Sequence, residues 1–134
     1  MRRATPPAQA SDEGGPILLA TVEGDIHDIG KNIVRAVLEN TGYRVVDLGR
    51  DVKAERVAQE AQRRGARIIG LSALMTTTVP GMERTIRMLR EAGVTAPVIV
   101  GGAVLTAEYA ARIGADYYAK DAKQCADIVR RLLG

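Results

Sequence analysis

Pro16-Ile17-Leu18-Leu19-Ala20-Thr21-Val22-Glu23-Gly24-Asp25-Ile26-His27-Asp28-Ile29-Gly30 is the stretch whose reading decides the fold. Ile17 to Val22 is a short apolar run with a single hydroxyl, and it reads as a buried strand. A polar, glycine-containing loop follows, from Glu23 to Asp28. Ile29, Ile33, Val34, Val37 and Leu38 then recur at helical spacing until Thr41-Gly42 stops the helix. A strand, a loop and a helix in that order form the opening half of a βαβ unit.

The same alternation runs outward to the end of the chain. Tyr43 to Leu48, Arg67 to Ser72, Pro97 to Val100 and Asp116 to Tyr118 read as further strands. Between them, Lys53 to Arg64 is helical and ends at Gly65. Met82, Ile86 and Leu89 mark a helix opened near Pro80 and ended by Gly93. Thr106 to Ile113 is helical up to Gly114, and Asp121 to Leu133 closes the chain. Repeated strand–helix alternation implies a parallel sheet with right-handed crossovers. Five strands favour an α/β, doubly wound, flavodoxin-like (Rossmann-like) sheet in the order 2-1-3-4-5. A six-stranded dinucleotide fold is the competitor, and the chain is short for one. In either arrangement ligands bind beyond the carboxyl ends of the strands, beside strand one.

Composition bounds the remaining classes. A length of 134 residues suits one compact core. Residues 16–134 are expected to form that domain. Residues 1–15, which include Ala4-Thr5-Pro6-Pro7-Ala8-Gln9-Ala10-Ser11, are small, Pro-containing and aperiodic, and read as a tail or linker. With four Tyr and neither Phe nor Trp, the core must rest on Val, Ile, Leu and Ala. That suits strands buried on both faces. The net charge is +3, but the basic residues are scattered among acidic ones. They read as solvated helix faces rather than a nucleic-acid surface. The lone cysteine, Cys125, forms no internal disulfide, so a cytoplasmic location is expected. It reads as a buried bystander. No apolar run is long enough to span a membrane, and no apolar stretch follows the basic N-terminus as in a signal peptide.

Three loops then fall at the expected ligand-binding edge. In the first, His27, the single histidine of the chain, lies two residues after a carboxylate. A neutral imidazole suits a borderline transition metal, and its other ring nitrogen then needs an acceptor, which Asp25 could be. Gly30 would let a large planar ligand approach the start of the helix. The competing reading is a surface loop with a capping Asp and an ordinary His, and spacing alone does not separate the two. One His and one remote Cys do not make a zinc set, and no G-K-S/T ending makes a P-loop. In the second loop, Leu71-Ser72-Ala73-Leu74-Met75-Thr76-Thr77-Thr78, the hydroxyls either serve a ligand or cap the next helix, with Thr77 or Thr78 well placed for capping. In the third, Gly101-Gly102 follows a buried strand, and a tight turn is the simpler account.

Taken together, these loops resemble the cobalamin-binding domain of corrinoid methyl-carrier proteins and cobalamin-dependent methionine synthase. The family pattern is D-x-H-x-x-G, then S-x-L, then G-G. Here it is Asp25-x-His27-x-x-Gly30, Ser72-x-Leu74 and Gly101-Gly102, from about Pro16 to the C-terminus. The resemblance implies a flavodoxin-like fold and a bound cobalamin or related corrinoid. Its cobalt would be base-off, with His27 as the metal ligand. It also implies a chain from His27 through Asp25 to Thr78, a position where relatives often carry Ser. Gly24, Ile26, Asp28, Ile29 and Gly30 fall on the cofactor loop. Ser72, Leu74, Gly101 and Gly102 would line a slot for the displaced nucleotide tail, with Thr76 and Ala122 near the cofactor.

By the same resemblance the domain carries a methyl group on cobalt. Partner methyltransferase proteins load and unload it, and no residue of this chain is expected to be catalytic alone. Relatives place a helical module over the upper corrin face, and here only about fifteen residues precede the domain. Two other cobalamin readings stand beside the carrier. One is the domain of an adenosylcobalamin-dependent mutase, whose loop more often reads G-x-D-G-H-D-R-G and has Arg where Ile29 stands. The other is a cobalamin-dependent sensor, which would need a DNA-binding module. A flavodoxin-like interaction domain without cofactor is the remaining alternative.

Overall fold

The computed structural model describes residues 15–134. Five strands, β1 (Ile17–Thr21), β2 (Val45–Asp47), β3 (Ile68–Ser72), β4 (Val98–Gly101) and β5 (Tyr117–Tyr118), alternate with five helices. These are α1 (Ile29–Asn40), α2 (Ala54–Arg64), α3 (Val79–Glu91), α4 (Ala107–Arg112) and α5 (Ala122–Leu133). All strand pairs are parallel, and the sheet order is β2-β1-β3-β4-β5. The expected doubly wound architecture is therefore the one found.

The strands are shorter than their apolar runs where the backbone is needed elsewhere. Tyr43 does not enter β2, because its amide donates to the Leu38 carbonyl and closes the end of α1. Gly65 ends α2 in the left-handed conformation, as its position after the last helical residue requires. Of the stretch read as a tail or linker, residues 1–14 lie outside the described residues. Gly15 packs against Gly65, and the Arg67 Nε donates to its carbonyl.

Register sorts the strand side chains onto two faces, because neighbours along a strand point to opposite sides. On one face Leu18, Ala20, Val22, Ile69, Leu71, Val98 and Val100 are buried against α2, α3 and α4, with Val57, Met82, Ile86, Leu89 and Ile113 supplied by the helices. On the other face Ile17, Leu19, Ile68 and Ile99 pack against α1 and α5, through Leu38, Cys125, Ile128 and Val129. That second face narrows toward the carboxyl ends. Ile17 pairs with Ile68, then Leu19 with Gly70 and Gly70 with Ile99, then Thr21 with Ser72 and Ser72 with Gly101. Side-chain size falls row by row toward the mouth of the sheet.

Candidate functional site

Between the narrowed end of that face and helices α1 and α5 lies a cleft of about 660 Å³. Leu19, Gly70 and Ile99 floor its inner part, Val34 and Cys125 wall it, and the loops after β1, β3, β4 and β5 form its mouth. Gly70 makes the room, since a Cβ there would press against the Leu19 side chain.

The β1–α1 loop turns sharply as soon as it leaves the sheet. The Asp25 amide donates to the Val22 carbonyl at 3.0 Å, and Gly24 adopts φ +87, a conformation that favours glycine. This turn drives Asp25 inward, where it is 0% exposed. The carboxylate is satisfied from two loops. Oδ1 accepts the His27 amide and lies 2.9 Å from His27 Nδ1. Oδ2 accepts the Leu74 amide and the Thr78 hydroxyl, each at 2.7 Å. Burial alone would push this acid up. The hydrogen bonds from Thr78, Leu74 and His27 together outweigh burial and hold it well below the usual carboxylate range.

An ionised carboxylate only accepts, so the proton between the two side chains sits on His27 Nδ1. Nε2 is then the free ring position, and no bond to it is found among the described residues. The imidazole lines the cleft with 45% of its side chain exposed. No group of three or more His, Cys, Asp or Glu able to hold a metal occurs among the described residues. A metal here would have fewer than three such protein ligands among the described residues.

Of the residues singled out from sequence, Ile26, His27, Asp28, Ile29, Gly30, Ser72, Leu74, Gly101, Gly102 and Ala122 all line the cleft. Asp25 and Thr78 stand behind His27 instead. Gly24 shapes the turn and is outside the lining, and Thr76 is exposed in the β3–α3 turn, also outside it. Thr78 does occupy the N-cap position of α3, yet its hydroxyl caps nothing and goes to Asp25 and the Met75 carbonyl. Gly101-Gly102 does make a turn, the Leu105 amide donating to the Gly102 carbonyl at 3.1 Å. It also seals the mouth: at φ +146, a Cβ on Gly102 would overlap the Ala73 carbonyl oxygen.

Among the contributors not assigned to the site from sequence are Lys31, Gly70 and Cys125. Lys31 is buried at the first turn of α1, its Nζ donating to Asp47 Oδ1 at 2.6 Å and the Gly49 carbonyl at 3.0 Å. Its phase with Val34 and Leu38, at i, i+3 and i+7, was the available signal. A glycine inside a strand pattern was the signal for Gly70. Cys125 is a buried wall of the cleft, and nothing in its spacing shows this.

The B12 binding domain family model matches residues 15–126. Dimethylamine corrinoid protein 1 of Methanosarcina acetivorans is 45% identical over 130 residues, 96% of this chain and 61% of that protein. A cobalamin-binding protein from Desulfitobacterium hafniense superposes with a TM-score of 0.86 at 37% identity, covering 90% of this chain and 60% of that one. The methanol:cobalamin methyltransferase complex MtaBC of Methanosarcina barkeri gives 0.85 at 37% identity, covering 90% of this chain and 46% of the matched chain. The chain thus spans about three fifths or less of the length of these proteins. Among the described residues no helix is long and apolar enough to cross a membrane. The fold, the three loops and the match over most of the chain agree, and the chain belongs to the B12-binding domain family.

Proposed function

We propose that this chain holds a cobalamin or related corrinoid with His27 Nε2 as the lower axial ligand of cobalt, and serves as the methyl carrier of a methyltransferase system. One observation carries the reading: a single imidazole, its Nδ1 held by a buried carboxylate, stands at the mouth of a deep, largely apolar cleft. The residues fit the group. The free Nε2 suits one axial bond, and the row from Leu19 through Gly70 to Ile99 leaves space for a flat nucleotide tail. When bound, the corrinoid supplies the metal that takes and gives the methyl group.

The chain's own residues do the rest. Asp25 fixes the imidazole tautomer and raises its donor strength, as a carboxylate partner does for metal-bound histidine. Thr78 and the Leu74 amide keep that carboxylate charged and aimed. Exposed Ile26 offers apolar surface at the mouth of the cleft, and Leu74 lines the cleft beside Gly101 and Gly102. Partner methyltransferases bring the methyl donor and acceptor. The similarity to a dimethylamine corrinoid protein and to a methanol methyltransferase complex supports the carrier reading over a mutase or a sensor.

The test is spectroscopic. Protein loaded with cob(II)alamin and freed of excess ligand should show cobalt hyperfine lines further split by one imidazole nitrogen. His27→Ala should lose that splitting. Retention of no corrinoid by wild type, or the same splitting in His27→Ala, defeats the proposal.

A further inference from the structure

One loop, between β2 and α2, grips the His27 loop at both ends. Before His27, Asp51 Oδ1 accepts the Gly24 amide at 2.7 Å, and the Asp51 amide donates to the Asp25 carbonyl at 2.9 Å. After His27, Lys31 reaches Asp47 and the Gly49 carbonyl, and Asp47 Oδ1 also accepts the Gly49 amide at 2.8 Å. Both anchors come from residues 47–51, and between them they span the whole segment from Gly24 to Lys31.

Asp51 forms its two bonds at φ +53, and it is the one non-glycine residue with positive φ among those described. Side-chain-bearing residues enter that region at a cost, and the cost is sustained where surrounding bonds over-determine the conformation. Asp51 is exposed and does not line the cleft, so it is placed to touch the turn and not the ligand. We infer that Asp51 is a positioning residue for His27. It fixes the Gly24–Asp25 turn, the turn fixes the Asp25 carboxylate between His27 and Leu74, and the carboxylate fixes the ring. The role of the imidazole at cobalt rests on the function proposed above. The positioning itself is a property of the chain without ligand.

Two variants separate positioning from general stability. Asp51→Gly removes the carboxylate while accepting φ +53 freely. Asp51→Asn keeps an acceptor oxygen and tolerates the left-handed region. In ligand-free protein, amide hydrogen exchange is read at His27 and Leu74, which donate to Asp25 and not to Asp51. Asp51→Gly should quicken both by about fivefold, the effect of one ordinary hydrogen bond, with β3 amides unchanged. Asp51→Asn should restore both. In protein loaded with cob(II)alamin, Asp51→Gly should lower the ratio of nitrogen-coupled to uncoupled cobalt about fivefold, again restored by Asn. The inference is overturned by wild-type exchange at His27 and Leu74, by equal quickening of every strand amide, or by an unchanged coupling ratio. Absence of nitrogen coupling in wild type is instead the failure of the His27–cobalt reading, and the exchange result then decides the positioning role.

Discussion

The two faces of the sheet are built from the same strands and do opposite things. The face under α2, α3 and α4 is filled: α2 alone buries Ala54, Val57, Ala58 and Ala61, and Met82 and Leu89 of α3 are fully enclosed. On the other face, α1 buries only Lys31 and Leu38, while Ile29 and Ile33 stay exposed. The first turns of α1 stand off the sheet over small residues, and an ion pair props them there. One face supplies the cohesion that lets the other carry a cleft. The buried Lys31–Asp47 pair ties the first turn of α1 to the end of β2.

The contrast can be broken most visibly by truncation. Met82→Ala on the filled face should cost about 3 kcal/mol, since lost burial and an unfilled cavity add. Val34→Ala on the cleft wall should cost no more than about 1 kcal/mol, because the site already faces open space. Urea unfolding of both variants checks the difference, and equal losses would mean that the two faces are alike in packing.

A second prediction sharpens the point by filling rather than emptying. Gly70→Ala sets a methyl against the end of the Leu19 side chain, which can yield only toward the cleft. Stability should change by about 1 kcal/mol or less, while corrinoid affinity falls tenfold or more because the displaced leucine occupies the tail space. Absorbance titration with cobalamin measures it. Unchanged affinity would show that the inner cleft is not used.

A third prediction concerns Cys125. Burial pushes its thiol up to about 11 from the ordinary 9.0. A proton held more tightly in the folded state adds stability that is fully present below pH 9.0 and is lost as pH rises toward about 11. Near pH 8 the folded thiol should therefore alkylate far more slowly than a free thiol, and bound corrinoid should slow it further. Labelling at the rate of an exposed thiol would place Cys125 outside the cleft wall.

The architecture was legible because its signals are local. Five apolar runs separated by helical spacings and Gly stops give strand count and, through crossover handedness, strand order. The mouth of the site was less so: Asp25, His27 and Gly30 lie within six residues, but that loop alone left two readings open, and only its agreement with Ser72-x-Leu74 and Gly101-Gly102 pointed to a cofactor. Contacts assembled across the fold carry no local signal. Thr78 meets Asp25 across 53 positions, a pairing that the family resemblance alone had implied, and Asp51 meets Gly24 across 27, which escaped. Thr78 shows how a local rule misleads. A threonine at an N-cap position ordinarily bonds its own helix, but the buried carboxylate in the loop after the neighbouring strand β1 was the stronger acceptor. Lys31 was overlooked because a lysine between apolar residues is ordinarily read as solvated. Its burial depends on Asp47 arriving from another strand.

The tapering rows on the open face have a consequence for how such a protein can vary. The floor of the cleft is written in strand residues, Leu19, Gly70 and Ile99, whereas His27, the proposed metal ligand, is written in a loop. Strand positions are fixed by the pairing of the sheet, and the His27 loop is fixed separately, by bonds from Asp51, Asp47, Leu74 and Thr78. The two halves of the site can therefore diverge separately. Under the proposed function, substitutions in the rows would change which nucleotide tail fits while leaving His27 untouched, and a remodelled loop would change the metal's partner above an unaltered slot.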